Sequence, residues 1–574
     1  MTWRKRRALI IGLLIFFFVL LIWAASKPAR LASNSVLVLD ADGEISEQRQ
    51  PDFFTAFSGS RVPVLHDFVD AIDAARTDAR IVGVVVRIAP LQTGWGKLEE
   101  IRTHLLQFRQ SGKPSICYLG YDGIGNPEYY LASACQEIWL VPTAPVNIRG
   151  IMAEALFVRG TLDKLKVVPE FYHIAEYKTA GNMFTEKKFT PAHREEVEKL
   201  LRSIYSQYLT EASQARGMDR VQFESLVNRG PFQSNEALEN KIVDRLGYWD
   251  QVQDFFKKRS GDWNPVPLSR YRTFVKSMAV GGEQIAIVHA TGMIVSGASE
   301  TSPGGGSIMG GDSVSADVRR ARLNSNIKAI VLRVDSGGGS VVASEVIRRE
   351  VELARAVKPV VVSMSDVAAS GGYWISVNAN KIVADPNTIT GSIGVLIGKL
   401  NISGLYNLLG LSTDYVATSD NATLFWDQQN FSPAQRAYIE RSIRQTYAEF
   451  TSGVAAGRNM PVKKVDEIGK GRVWSGTQAK EIGLVDELGG LDRAVDVAKQ
   501  LAHIPASQSV RIVRFPEEKS LLQMIFERER DQLTEGESAN ASPVNARSLD
   551  AMLRKIVDTM EPVQARIPFE LHIR

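Results

Sequence analysis

The residues best placed to do chemistry are a serine and a lysine far apart in the chain. Ser370 stands in Ala368-Ala369-Ser370-Gly371-Gly372-Tyr373-Trp374. Before it, residues 359–362 form an apolar, β-branched run that predicts a buried strand, and after it residues 373–380 predict a helix. A serine at such a turn presents its hydroxyl to the amides of a helix start, and the two glycines let other backbone approach closely. The same features describe an ordinary helix cap. A serine nucleophile also needs a base. Between His289 and His503 there is no histidine, and between Lys399 and Lys463 no lysine. The candidate base lies in Glu176-Tyr177-Lys178-Thr179-Ala180-Gly181, where a lysine precedes a small, Gly-containing turn. Lys178 must be neutral to act, which requires burial away from carboxylates. Moving a lysine from about 10.4 to about 8 costs roughly 3 kcal/mol of stability at neutral pH.

The elements that position these two groups form an internal repeat. Val36-Leu37-Val38-Leu39 with Gly43 matches Ile285-Ala286-Ile287-Val288 with Gly292, and Val84-Val85-Val86-Arg87 matches Ile330-Val331-Leu332-Arg333. Tyr129-Tyr130-Leu131 matches Tyr373-Trp374-Ile375. Phe189-Thr190-Pro191 matches Phe431-Ser432-Pro433, and Val243-Asp244-Arg245-Leu246-Gly247 matches Val485-Asp486-Glu487-Leu488-Gly489. The separation drifts only from 249 (292−43) to 242 (489−247), so the chain carries a duplicated domain. Each copy alternates apolar runs with amphipathic stretches: strands are expected at 81–88, 115–119, 327–334 and 359–363, and helices at 195–209 and 437–451. That order predicts an α/β fold with parallel sheet and crossover helices. The expected boundaries are a membrane anchor at 1–30, a first domain at 31–257, a linker at 258–282, a second domain at 283–504 and a tail at 505–574. In the tail, a strand-like run at 510–515 precedes a polar spacer and a short helix near 549–560.

Comparison of the copies separates chemistry from capping. Ser370 aligns with Asn126 (370−244) and Gly371 with Pro127, while Asp335-Ser336-Gly337-Gly338-Gly339 aligns with Ala89-Pro90-Leu91-Gln92-Thr93. A structural cap or turn would be needed in both copies, so its presence in one indicates function. The hypothesis is a single site assembled from complementary halves, with Lys178 from the first copy and Ser370 from the second. The peptide N–H groups of Gly339 and Gly371 are the candidate oxyanion donors, each worth about 3 kcal/mol.

The 574 residues exceed what one core organises. A net charge of +4 gives no argument for nucleic acid. Cys117 and Cys135 fit no metal spacing and are expected as two small core residues, one disulfide being the alternative. No His, Asp or Glu cluster has metal-ligand spacing, and no cofactor is expected. Gly391-Ser392-Ile393-Gly394 with Gly398-Lys399 lacks the spacing of a phosphate loop and reads as a packing turn near the site. Residues 8–25 are 18 apolar residues preceded by Arg4, Lys5, Arg6 and Arg7. This predicts a membrane span with its N-terminus in the cytoplasm and the body across the membrane. A cleaved signal peptide competes, but the long run and the poor cleavage site favour an anchor.

The anchor, the tandem copies, the glycine run after Arg333-Val334-Asp335-Ser336 and the Ala369-Ser370-Gly371-Gly372 turn resemble the signal peptide peptidase A (protease IV) family in its long, duplicated form. The resemblance runs to about residue 500 and departs at Gly337, where the family usually has proline. It implies tandem Clp-protease/crotonase-like domains of repeated ββα units with an N-terminal transmembrane helix. It further implies a Ser-Lys dyad, with Ser370 as nucleophile, Lys178 as general base and Gly339 and Gly371 as oxyanion donors. The expected substrates are hydrophobic peptides such as cleaved signal peptides. The expected setting is a homotetramer on the periplasmic side of a bacterial inner membrane. A non-catalytic membrane scaffold on the same fold, or less readily an acyl-CoA enzyme, are the other classes. Retention of Ser370, Lys178 and the glycines favours the peptidase.

Overall fold

Runs such as Val84-Val85-Val86 and Val360-Val361-Val362 are apolar at every position, so strands made of them need cover on both faces. The computed structural model describes residues 31–49, 63–278, 282–301, 307–517, 563–566 and 572–573. In it, the first copy forms a parallel sheet in the order Arg245–Leu246, Glu137–Leu140, Ser115–Leu119, Ile81–Leu91, Ser35–Gly43, Asn264–Pro267. The second copy repeats that order with Glu487–Leu488, Lys381–Ala384, Val360–Ala369, Ile327–Ser336, Glu283–Thr291 and Val510–Phe515. Separate clusters of buried side chains cover the two faces: Phe68, Leu98 and Tyr129 oppose Val85, Ile116 and Phe256 in the first copy. Val334, Ile347 and Tyr373 oppose Ile287, Val331 and Val497 in the second. Each large apolar side chain buried this way stabilises by about 1.5–3 kcal/mol.

The four expected strands and two long helices are present. The helices extend to Pro191–Ala215 and Pro433–Arg458. Their starts explain the repeated Phe-Thr-Pro and Phe-Ser-Pro. Thr190 and Ser432 cap the helices, accepting from the backbone N–H of His193 and Gln435, and the proline occupies the first helical turn, where no N–H is needed.

Two boundaries differ from expectation. The stretch 258–282 is not a free linker. It holds the strand Asn264–Pro267, which pairs with Ser35–Gly43, and the helix Leu268–Met278, with Val266 and Tyr271 buried. Its Gly, Pro, Asp and Ser mark tight connections, and proline is tolerated in this short edge strand. Likewise the second copy does not stop at 504, because Val510–Phe515 completes its sheet. Cys117 and Cys135 are buried as expected of core residues, but they are joined in a disulfide. The expected span at 8–25 and the tail helix near 549–560 lie outside the described residues. Among the described residues, no helix is long and apolar enough to cross a membrane.

The copies diverge where the site lies. Val360–Ala369 has 10 residues against 5 in its counterpart Ser115–Leu119. The extra length pairs with Ile389–Gly391, which in turn pairs with Val473–Ser475. Ser370 is the next residue. A further sheet joins the domains: Val168–His173 of the first pairs antiparallel with Leu396–Asn401 of the second.

Candidate active site

That inter-domain pairing positions the lysine. The chain leaves Val168–His173 toward Lys178 and enters Leu396–Asn401 from Ser392, so one antiparallel ladder brings both to the end of the strand bearing Ser370. Lys178 Nζ lies 2.7 Å from Ser370 Oγ, and both residues are fully buried. Glycines of the second domain wrap the lysine stem. A Cβ on Gly394 would fall 3.1 Å from Lys178 Cδ, and one on Gly471 would fall 2.5 Å from Lys178 N.

Ser370 stands at the N-cap position of the helix Gly371–Ser376 but does not cap it with its side chain. Its side chain makes no capping hydrogen bond, and its backbone adopts φ 55°, ψ −113°, a region an L-residue enters only when its surroundings impose it. Its N–H donates to Gly391 O at 2.8 Å, and its carbonyl accepts from Trp374 N at 2.8 Å. The conformation aims the hydroxyl at Lys178 instead of at the Gly371–Ser376 helix.

Sequence reasoning missed Ser392. Lys178 Nζ donates to Ser392 Oγ at 3.0 Å and to Ser392 O at 3.2 Å. Both Ser392 oxygens accept from the amine and hold it against the Ser370 hydroxyl. The Gly391-Ser392 pair was visible as a turn, and the turn is part of the site. Burial pushes the Lys178 amine down to about 7, with Glu196 pulling the other way. Burial also pushes the Glu196 carboxyl up to about 8, so near neutrality Glu196 adds little negative charge beside the amine. Glu196 instead accepts from Val473 N at 2.6 Å.

Gly371 follows Ser370 directly, and the glycine run packs against it. A Cβ on Gly371 would sit 3.1 Å from Gly338 Cα, and one on Gly372 2.5 Å from Ser336 O. Gly339 has φ 156°, and a Cβ there would collide with Ile294 O at 2.0 Å. Lys178, Ser370 and Gly371 thus meet at one strand end, and Gly339 follows directly on Gly338, against which Gly371 packs.

A doubled α/β fold whose copies share a buried serine–lysine pair has the makings of a serine hydrolase. Residues 107–261 and 352–505 match peptidase family S49. The chain belongs to that family and is a serine peptidase. It is 35% identical over 494 residues to "Serine protease SPPA, chloroplastic" of Arabidopsis thaliana, covering 84% of this chain and 72% of that one. It is 34% identical over 562 residues to "Protease 4" of Salmonella typhi, covering 92% and 89%. Among solved structures, a ClpP1 mutant from Listeria monocytogenes aligns at 16% identity with a TM-score of 0.24, covering 37% of this chain and 94% of that one.

Proposed function

We propose that the chain is a membrane-anchored serine endopeptidase that uses a Ser370–Lys178 dyad to cleave remnant signal peptides and other hydrophobic peptides. On this reading it works as a homotetramer of Clp-protease/crotonase-like domains on the periplasmic side of a bacterial inner membrane. The observation that carries it is the buried 2.7 Å contact between Lys178 Nζ and Ser370 Oγ. Neutral Lys178 takes the Ser370 proton as Oγ attacks the scissile carbonyl carbon. The resulting oxyanion accepts from the N–H groups of Gly339 and Gly371. As the tetrahedral intermediate collapses, the C–N bond breaks and the Lys178 ammonium protonates the leaving amine. Lys178 then deprotonates a water that hydrolyses the Ser370 ester.

A peptide substrate is supported by the slot beside the glycine run. The strand Val563–Arg566 lies antiparallel to both Gly338–Ser340 and Leu396–Asn401, so an extended chain adds to this sheet by backbone pairing. The Cys117–Cys135 disulfide suits an oxidising compartment such as the periplasm. For oligomerisation, the helix Val341–Arg355 leaves Val342 and Val346 exposed, whereas its counterpart Trp95–Arg109 docks on the other domain. A second copy of the chain would cover the two valines.

The experiment is turnover of a fluorogenic hydrophobic peptide by the wild-type chain and by variants at Ser370 and Lys178. Equal rates would remove the dyad. Two further outcomes are expected. Truncation after residue 517 empties the slot and raises kcat/KM for a short peptide roughly 3- to 10-fold, the factor for a site otherwise occupied most of the time. An unchanged or lower value would show that the tail does not compete with substrate. Ser392→Ala lowers kcat roughly 10- to 100-fold, as expected for losing a hydrogen bond to a buried group. A wild-type kcat would remove Ser392 from the orientation of Lys178.

A further inference from the structure

The helix Trp95–Arg109 of the first domain turns one charged face, Lys97, Glu100 and His104, onto the second domain. Lys97 is buried, and its Nζ lies 2.7 Å from Asp335 Oδ2 and 2.7 Å from Asp366 Oδ2. The Lys97 backbone N–H also donates to Asp366 Oδ1 at 2.9 Å. The Asp366 carboxylate sits tightly in this helix start: a Cβ on Gly94 would fall 2.2 Å from Asp366 Cγ, and one on Gly96 3.1 Å from Ser365 O. Asp335 Oδ1 accepts from Val367 N at 3.2 Å. One turn along, Glu100 accepts from Arg333 and from Leu491 N. Arg333, fully buried, also donates to Glu47 of the first domain at 2.8 and 2.9 Å and to Ser363 at 2.8 Å. His104 places one ring nitrogen 2.8 Å from Asp73 and the other 3.3 Å from Asp492.

The two carboxylates held by Lys97 occupy matching places. Asp335 is four residues before Gly339 and Asp366 four before Ser370. They lie near the ends of the adjacent strands Ile327–Ser336 and Val360–Ala369, Asp335 next to last and Asp366 three residues before the end, and these strands lead to the candidate oxyanion donor and the candidate nucleophile. Burial works against the Lys97 charge, but Asp335, Asp366 and Glu47 outweigh it and hold the ammonium well above its ordinary value. Two of the buried lysines therefore have opposite character, Lys178 neutralised by burial and Lys97 kept charged by its carboxylates. The clamp runs one way only, since the aligned position in the second copy is Ala343 (97+246).

We propose that Lys97 is a positioning residue for the peptidase reaction, reaching from the first domain to fix the spacing between the glycine run and Ser370. The reacting geometry then exists only when the two domains are docked through this clamp. The proposal rests on the Ser370–Lys178 reading of the site.

The test uses the full chain and a fluorogenic hydrophobic peptide. Lys97→Met alone leaves two buried carboxylates unpaired and is prone to unfold. The decisive variant therefore combines Lys97→Met with Asp335→Asn and Asp366→Asn, which removes the charges together. Thermal melting establishes that it folds, and kcat and KM are measured across pH. The expected result is a melt close to wild type, kcat lowered at least 30-fold, KM within threefold and an unmoved activity limb near pH 7. Lys97→Arg, which keeps the cation, is expected within tenfold of wild-type kcat. A wild-type kcat in the folded triple variant, a loss confined to KM, or a loss that scales only with the unfolded fraction would overturn the proposal. Ser370→Ala, assayed alongside, keeps the failures apart. If it is inactive while the triple variant is fully active, only the positioning role falls. If Ser370→Ala is active, the dyad falls and the positioning role with it.

Discussion

Lys178→Met is expected to produce a protein that is at once inactive and more stable than wild type. Methionine keeps the length of the stem between Gly394 and Gly471 and removes the amine. Loss of the base should lower kcat/KM about 10⁴-fold. The gain in stability follows from linkage. In the unfolded chain a lysine titrates near 10.4, and in the fold burial brings Lys178 down to about 7. Above pH ~10.4 the amine is neutral in both states, and no proton is forgone on folding. As pH falls below that value the unfolded chain gains a proton that the folded one lacks. Stability then declines by about 1.4 kcal/mol per pH unit until about pH 7, where the folded amine also protonates and the decline levels off. The total is roughly 4 kcal/mol, offset by about 1–2 kcal/mol for the hydrogen bonds that Ser370 and Ser392 lose. Thermal melts should place the Met variant above wild type at pH 6–7 and near it by pH 10. Wild-type kcat/KM should rise with one-proton slope through about pH 7, a limb absent from the variant's residual rate. A variant that melts below wild type at pH 6–7 would show that the amine is charged and paired, and so unable to act as base.

Duplication supplies an internal control: a residue type present in one copy and missing from the other stands out, as Ser370 against Asn126 and the glycine run against residues 89–93. Strand and helix placement was legible because valine runs and the Thr-Pro and Ser-Pro helix starts are local signals. The clamp was not legible. Lys97 next to a helix start reads as a solvated charge, and its partners are 238 and 269 residues away. No local property of Asp335 or Asp366 distinguishes a buried carboxylate from an exposed one. Ser392 was hidden differently, because glycine beside serine is an ordinary turn signal and its value lies in what the turn faces. The stretch 258–282 misled for the opposite reason. Its turn residues are genuine, but apolar side chains between them, Val266, Leu268, Tyr271, Phe274 and Val275, bind it into the first core.

Two serines touch the same amine, so Ser370→Ala is the variant that decides which of them attacks. Ser370 Oγ and Ser392 Oγ lie 2.7 and 3.0 Å from Lys178 Nζ, too similar to assign roles by distance. Their surroundings differ. Ser370 is followed by Gly371 and packed against Gly338, so an oxyanion formed on a carbonyl at its Oγ meets peptide donors. Ser392 turns its own carbonyl toward the lysine, which suits an orienting group. Alanine at position 370 disturbs little else. The left-handed backbone already accommodates a Cβ, and the bonds from Ser370 N to Gly391 O and from Trp374 N to Ser370 O belong to the main chain. The expected result is a loss of about 10⁴-fold or more in kcat, with the melting midpoint little changed and peptide binding retained. Ser392→Ala should lose only roughly 10- to 100-fold. Measured side by side, the two variants should therefore differ by at least two orders of magnitude. The opposite ranking, with Ser392→Ala dead and Ser370→Ala merely slowed, would move the nucleophile to the turn and leave the strained conformation of Ser370 without a catalytic purpose.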